Sequence, residues 1–122
     1  TRMEPVSVQV LRAKGEPYST QNTIDGTMVN NHLKLEVSNQ SGYDSEMDIS
    51  VEGSYFGLEL ILAHRPIYIS NGRLEQIDVF VRFPKDILEN GALRLPFKVR
   101  LKNMSTGEVV FIEREVTLVG PF

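Results

Sequence analysis

Apolar and polar residues alternate in short runs along much of the chain. In residues 33–37, for example, Leu33, Leu35 and Val37 alternate with Lys34 and Glu36. Successive side chains of a β-strand point to opposite faces, so each such run predicts a strand with one buried face. Seven runs follow this pattern: residues 6–10, 33–37, 47–51, 58–62, 77–83, 95–101 and 108–119. The chain is therefore predicted to consist of antiparallel strands joined by short turns.

The composition favours the same fold class. The chain contains 27 Val, Ile and Thr residues but only 3 Ala, and β-branched side chains favour strands whereas alanine favours helices. Its 122 residues include no cysteine. We predict an all-β fold, an immunoglobulin-like or fibronectin-type antiparallel β-sandwich of about seven strands without a disulfide. Residues 1–122 are expected to form a single domain. Because the sequence opens on Thr1 rather than Met, we expect either a processed chain or a fragment of a larger protein, and we favour the fragment.

The last two runs are predicted to form a hairpin around Met104-Ser105-Thr106-Gly107. Glycine at the end of a four-residue loop allows a positive φ there. With Asn103 facing Glu108, the implied pairs on the buried face are Leu101 with Val110, Val99 with Ile112 and Leu95 with Val116, while Lys98 meets Glu113 on the outer face and Phe97 lies opposite Arg114. Arg114 then occupies an inward position, so we expect it either to lie at the rim or to mark a bulge that shifts the register.

The sheet to which residues 58–70 belong is left open by the pattern. Leu58, Leu60 and Leu62 predict a strand, and Asn71-Gly72 is a turn signal that follows it. An extra hairpin at this turn is one alternative.

Composition also excludes several classes of function. A net charge of −3 and a sequence pI near 5.4 argue against a nucleic-acid-binding domain, which normally has a basic face. Without cysteine, the chain itself cannot ligate an iron–sulfur cluster or use a thiol nucleophile. His32 and His64 are the only imidazoles, and neither has a neighbouring nucleophile. We therefore expect no enzyme activity and no catalytic or cofactor-binding residues.

Two side chains are the candidates for a metal site. Met28 and His32 share one strand face, and a thioether with an imidazole is a ligand pair suited to a soft cation such as Cu(I). The alternative is that His32 is an ordinary surface histidine, and this is the interpretation we favour because two ligands make a weak motif.

Two charged rows have a similar pair of interpretations. The acidic row, Asp44, Glu46 and Asp48, is either a Ca²⁺ site or a solvated strand face, and the spacing lacks the pattern of a calcium loop. The basic row, Lys98, Arg100 and Lys102, is either an anion-binding surface or half of a set of cross-strand ion pairs. We favour the second interpretation in both cases.

Several short motifs together resemble a known family. In chain order they are Val10-Leu11-Arg12, Ile24-Asp25-Gly26, the segment N-N-H-L-K-L-E-V-S-N at 30–39, residues 79–84 ending in Pro84, Pro96-Phe97-Lys98-Val99, and the close from Thr106-Gly107-Glu108 to Gly120-Pro121. Their order and spacing resemble the C-terminal immunoglobulin-like domain of the FixG/CcoG family, the bacterial cytochrome c oxidase accessory proteins. The resemblance covers nearly the whole chain. Two departures are a histidine at position 32, where the family typically has an aromatic residue, and Ala13-Lys14-Gly15 after Arg12 in place of an acidic-basic pair.

The resemblance implies a function for the parent protein rather than for these residues alone. It implies an inner-membrane protein with transmembrane helices and [4Fe–4S] clusters, which takes part in maturation of the cbb3-type cytochrome oxidase through copper handling or reduction. The immunoglobulin-like domain is expected on the periplasmic side of the bacterial inner membrane, with no membrane span and no cofactor of its own. No catalytic residue of the family maps onto this sequence.

Three functional hypotheses follow from these observations. The first is a non-catalytic accessory domain that contacts partner proteins during oxidase assembly, by strand addition at a sheet edge or by side-chain docking. The second is a copper-binding or copper-transfer domain that uses Met28 and His32. The third is a generic extracellular, adhesion-type β-sandwich module.

Overall fold

The computed structural model describes residues 6–122, and these contain nine β-strands and one short 3₁₀ turn. The strands are β1 (Val6–Arg12), β2 (Ser19–Thr23), β3 (Gly26–Asn39), β4 (Ser45–Val51), β5 (Glu59–Ile61), β6 (Ile67–Ile69), β7 (Leu74–Pro84), β8 (Ala92–Asn103) and β9 (Val109–Val119). The 3₁₀ turn is Lys85–Ile87. Each of the seven alternating runs contributes a strand, so the predicted all-β fold is confirmed.

The strands form two antiparallel sheets packed face to face. The first sheet has the order β1-β3-β7-β5, with β2 pairing to β3, and the second has the order β6-β4-β8-β9. Every second residue of the long strands points between the sheets, as the alternation predicts. The largest fully buried side chains there are Phe83, Phe97, Leu33, Leu35, Met47, Ile49, Ile69, Leu95 and Leu118. This apolar layer holds the sandwich together.

The predicted hairpin register is confirmed, but the prediction that Val110 lies on the buried face is wrong, since this residue is 46% exposed. Lys98 lies opposite Glu113 and Leu95 opposite Val116, and the Asn103 N–H donates to the Glu108 carbonyl at 2.8 Å. The register runs without interruption from Ala92 to Lys102, so the bulge alternative for Arg114 is wrong. That side chain is half-buried at the rim, where its Nε donates to the Val8 carbonyl of β1 at 3.0 Å.

Residues 58–70 are divided between the two sheets. β5 pairs with β7 in the first sheet, whereas β6 pairs with β4 in the second. The Asn71-Gly72 turn therefore links the two sheets and does not close a hairpin. The two strands that the alternation did not predict are β2, which is mostly exposed and wholly polar, and the three-residue β6.

Side chains join the sheets along the side where β1 and β9 lie. The carboxamide of the buried Asn31 on β3 donates to the Val119 carbonyl at 2.8 Å and accepts from the Val119 N–H at 2.9 Å. Arg12 of β1 donates to the Thr117 carbonyl, and Arg114 of β9 donates back to β1. Backbone groups at an unpaired strand edge need a partner, either a protein group or water, and these three side chains supply one for the Val119 N–H and C=O and for the Thr117 and Val8 carbonyls.

We expect Asn31→Leu to lower the free energy of unfolding by about 1–3 kcal/mol, because a side chain of similar size then leaves the Val119 N–H and C=O without partners. Chemical denaturation measures the difference. Asn30→Leu is the matched control, since Asn30 is the neighbouring residue on the outer face of β3. An equal loss of stability in the two variants would contradict the role given to the Asn31 carboxamide.

Candidate interaction surface

A row of three exposed side chains crosses the outer face of the first sheet. Ile61 of β5 lies opposite Phe80 of β7, and Phe80 lies opposite His32 of β3. Ile61 is 44% exposed and Phe80 is 40% exposed. The three positions are contiguous because residues that share a register lie side by side across a sheet. We call Ile61, Phe80 and His32 the outer row.

The outer row is held in place by His32. Its ring stacks on Phe80 with a centroid separation of 4.3 Å and an interplanar angle of 17°. Its Nε2 lies 2.8 Å from Oδ1 of Asp78, which precedes Phe80 by two residues on the same face. A stacked aromatic pair contributes about 0.5–1.5 kcal/mol beyond its buried area. The histidine thus serves as a flat aromatic partner for Phe80.

The alternation pattern already indicates the outer row at Phe80, although Phe80 is not among the candidate residues named from the sequence. In the run 77–83 the inward positions are Ile77, Val79, Val81 and Phe83, so Phe80 falls on the outward face. A large aromatic side chain at a solvent-facing position is a feature of protein contact surfaces, in which aromatic residues are enriched.

The two metal candidates, Met28 and His32, share the outer face of β3 but are not brought together. Four residues of strand separate their Cα atoms by about 13 Å, and the contact with Asp78 occupies one ring nitrogen of His32. Within residues 6–122, no three side chains of the His, Asp or Glu types cluster as they do around a metal ion. His64 lies apart, on the segment between β5 and β6.

The acidic row is divided among separate partners. Asp44 accepts a hydrogen bond from the Asn71 N–H at 2.9 Å, and Asp48 pairs with Arg65 at 2.9 Å. Glu46 lies opposite Lys102 across β4 and β8. Each carboxylate therefore has its own structural neighbour, as expected for a solvated strand face.

The basic row lies on the outer face of the second sheet. Arg100 is opposite Asp48 in the register. The Lys98 ammonium lies 3.8 Å from the Glu52 carboxylate and 4.6 Å above the Phe111 ring. Lys98 was expected to pair with Glu113; it lies opposite that residue, but the ion pair that forms is with Glu52.

No helix among residues 6–122 is long and apolar enough to cross a membrane. The arrangement defines an immunoglobulin-like β-sandwich with the outer row on the solvent-facing side of its first sheet.

Comparison with known proteins identifies the family. Residues 1–121 match the family model described as the "IG-like fold at C-terminal of FixG", and the chain belongs to this family. A FixG-related protein from Vibrio parahaemolyticus has a similar solved structure, with a TM-score of 0.60 and 17% sequence identity over 93% of this chain and 95% of that one. At this identity the similarity establishes the fold. A search of curated proteins found no match.

We expect a titration of the chain with Cu(I) to leave the amide NMR signals of residues 28–32 unshifted at stoichiometric metal, because the two ligand side chains are too far apart to chelate one ion. The double variant Met28→Leu, His32→Phe serves as the control and should give the same titration as the wild type. Saturable shifts at residues 28–32 that disappear in the double variant would contradict this expectation.

Proposed function

We propose that this chain is the non-catalytic accessory domain of a FixG/CcoG-type membrane-bound iron–sulfur protein, and that it contacts partner proteins during maturation of the cbb3-type cytochrome oxidase. Membership of the FixG C-terminal family over residues 1–121 is the observation that carries this proposal. The domain lies on the periplasmic side of the inner membrane in this account, and the [4Fe–4S] clusters belong to other parts of the parent.

The side chains of the domain support a contact role over a chemical one. The two histidines lie in separate elements, β3 and the segment after β5, and His32 is engaged with Phe80 and Asp78. Neither contact of His32 is with a nucleophile, so among residues 6–122 its ring is not placed as a catalytic acid, base and nucleophile set requires. The outer row, in contrast, offers an aromatic side chain on a flat sheet face. Aromatic anchors contribute most of the binding energy at many protein interfaces.

The proposal is tested in the full-length parent protein. Deletion of the domain is expected to lower the amount of assembled oxidase in membranes, measured by its haem absorbance, while the electron paramagnetic resonance signal of the parent's clusters stays unchanged. Normal assembly after the deletion would contradict a role in maturation. Loss of the cluster signal would contradict a domain that acts only through contacts.

Single substitutions test the surface. Phe80→Ala is expected to weaken capture of the partner from membranes about tenfold, because an aromatic at the centre of an interface typically contributes 1–2 kcal/mol or more. Phe111→Ala is the matched control, since Phe111 is 56% exposed on the outer face of the opposite sheet. Equal effects of the two substitutions would show that the outer row is not the contact surface.

A further inference from the structure

The two lateral sides of the sandwich differ in how their strand edges are occupied. Beside β1 and β9, the side chains of Asn31, Arg12 and Arg114 bind the edge backbone groups. On the opposite side, β5 pairs only with residues 80–82 of β7. Among residues 6–122, no strand lies beside the first half of β7 on that side.

The hydrogen-bond pattern identifies which groups of β7 are free. The Asn39 N–H donates to the Arg73 carbonyl at 2.9 Å, so odd-numbered residues of β3 and β7 bond to each other in the alternating antiparallel pattern. Even-numbered residues of β7 then direct their N–H and C=O groups away from β3. Farther along β7 these groups meet β5, but at Leu74, Gln76 and Asp78 they face an open edge.

A groove runs beside this edge. β5 ends at Ile61, and the chain crosses to the second sheet before β6 begins at Ile67. The space left by the crossing has a volume of about 410 Å³ and is lined by Ala63, His64, Pro66, Ile67 and Tyr68 on one side and by residues 76–78 of β7 on the other. Volumes of about 300–1,000 Å³ are typical of binding pockets. The groove is therefore large enough for two or three apolar side chains.

The pattern along β7 specifies the chemistry of an occupant. Side chains of an added strand alternate in step with those of β7. Ile77 and Val79 point towards the interior, whereas Gln76 and Asp78 are exposed on the outer face. Apolar residues of the occupant would thus enter the groove, and its alternate residues would lie beside Gln76 and Asp78.

The charge of the β7 edge specifies the occupant residues that lie beside Gln76 and Asp78. On the outer face of this segment the ionisable side chain is Asp78, which remains 57% exposed beside His32 and has Lys34 of β3 as its register partner. Glu75 is exposed at an inward position of the alternation, and the segment 74–79 has no basic residue. Arg65, on the crossing segment, is directed to Asp48 and to the Ile49 carbonyl of the second sheet. The strand segment next to an added peptide thus carries two carboxylates and no Lys or Arg, and opposite charges on neighbouring strands stabilise pairing.

We propose that the edge of β7 at residues 74–79 binds an extended peptide segment of a partner protein, in which apolar residues alternate with basic ones, by addition of a strand to the first sheet. The site adjoins the outer row, because Asp78 contacts His32. This inference rests on the proposed contact function and names its docking surface.

The probe is an acetylated and amidated peptide of about seven residues in which lysine and valine alternate, a length typical of one strand. In an amide NMR titration of the chain, we expect saturable shifts centred on residues 74–79. The same peptide with N-methyl groups on alternate amides should not bind, because it cannot form the edge hydrogen bonds. A glutamate–valine peptide should bind at least about threefold more weakly.

Gln76→Lys should weaken binding of the lysine–valine peptide about threefold or more, since it places a like charge at the groove. Gln9→Lys is a closely matched control: both glutamines are exposed and both are register partners of Glu36, on opposite sides of it. Only Gln76 adjoins the groove.

Several results would overturn the inference. These are the absence of saturable shifts, shifts centred outside residues 74–79, equal binding of the N-methylated peptide, or equal effects of the two lysine variants. Concentration-dependent shifts at 74–79 without peptide would instead identify a second copy of the chain as the occupant.

Oxidase assembly with variants of the full-length parent protein distinguishes failure of this inference from failure of the proposed function. If deletion of the domain lowers oxidase assembly but Gln76→Lys and Gln9→Lys both leave it normal, the contact function stands and the β7 edge is not its surface. If deletion has no effect, the proposed function fails, whatever the peptide does.

Discussion

The chemistry of strand edges governs this structure, because two open sheets have outer strands whose backbone groups lack a neighbour. Unpaired edges are prone to pair with other chains, and proteins usually protect them. On one side of the sandwich, the carboxamide of Asn31 makes the two hydrogen bonds to Val119 that a neighbouring strand would otherwise make. One arginine from each edge strand, Arg12 of β1 and Arg114 of β9, donates to a carbonyl of the other edge strand. On the other side, the crossing from β5 to β6 leaves part of β7 open. On the first side, side chains thus satisfy four of the edge backbone groups, whereas among residues 6–122 the edge of β7 at residues 74–79 has neither a strand nor side chains of this kind beside it.

Where one face of a strand is buried, the sequence was sufficient to predict the structure. The alternation of residues 33–37 and 95–101 corresponds to strands whose inward residues are buried, including Leu33, Leu35, Phe97 and Val99. A slip of one residue would expose every apolar side chain of such a strand, so the register is strongly determined. The β8–β9 hairpin was predicted pair by pair for this reason. Val110 keeps its predicted register but is 46% exposed, because strand pairing determines which residue lies opposite Val110 and does not determine how deeply its side chain is buried.

What the sequence did not predict depends on contacts between distant segments. β2 has no apolar alternation, because nearly all of it is exposed, and its pairing with β3 is made by the backbone. Arg114 sits at an inward position of an alternating strand, and only the arrival of β1 beside β9 provides the Val8 carbonyl that it binds. Met28 and His32 share a face in sequence and structure, yet the rise of the strand keeps them apart. The outer row and the groove are assembled from β3, β5, β7 and the crossing segment, so no local pattern describes them.

Amide hydrogen exchange of the free chain tests the difference between the two sides most directly. Exchange is slow for N–H groups that remain hydrogen-bonded in the native state and fast for groups that face solvent. We expect the Val119 amide, bound by Asn31, to be protected, whereas the Gln76 and Asp78 amides, on the open edge of β7, exchange at least about tenfold faster. Protection of Gln76 and Asp78 equal to that of Val119 would contradict an open edge and, with it, the docking surface assigned to this domain.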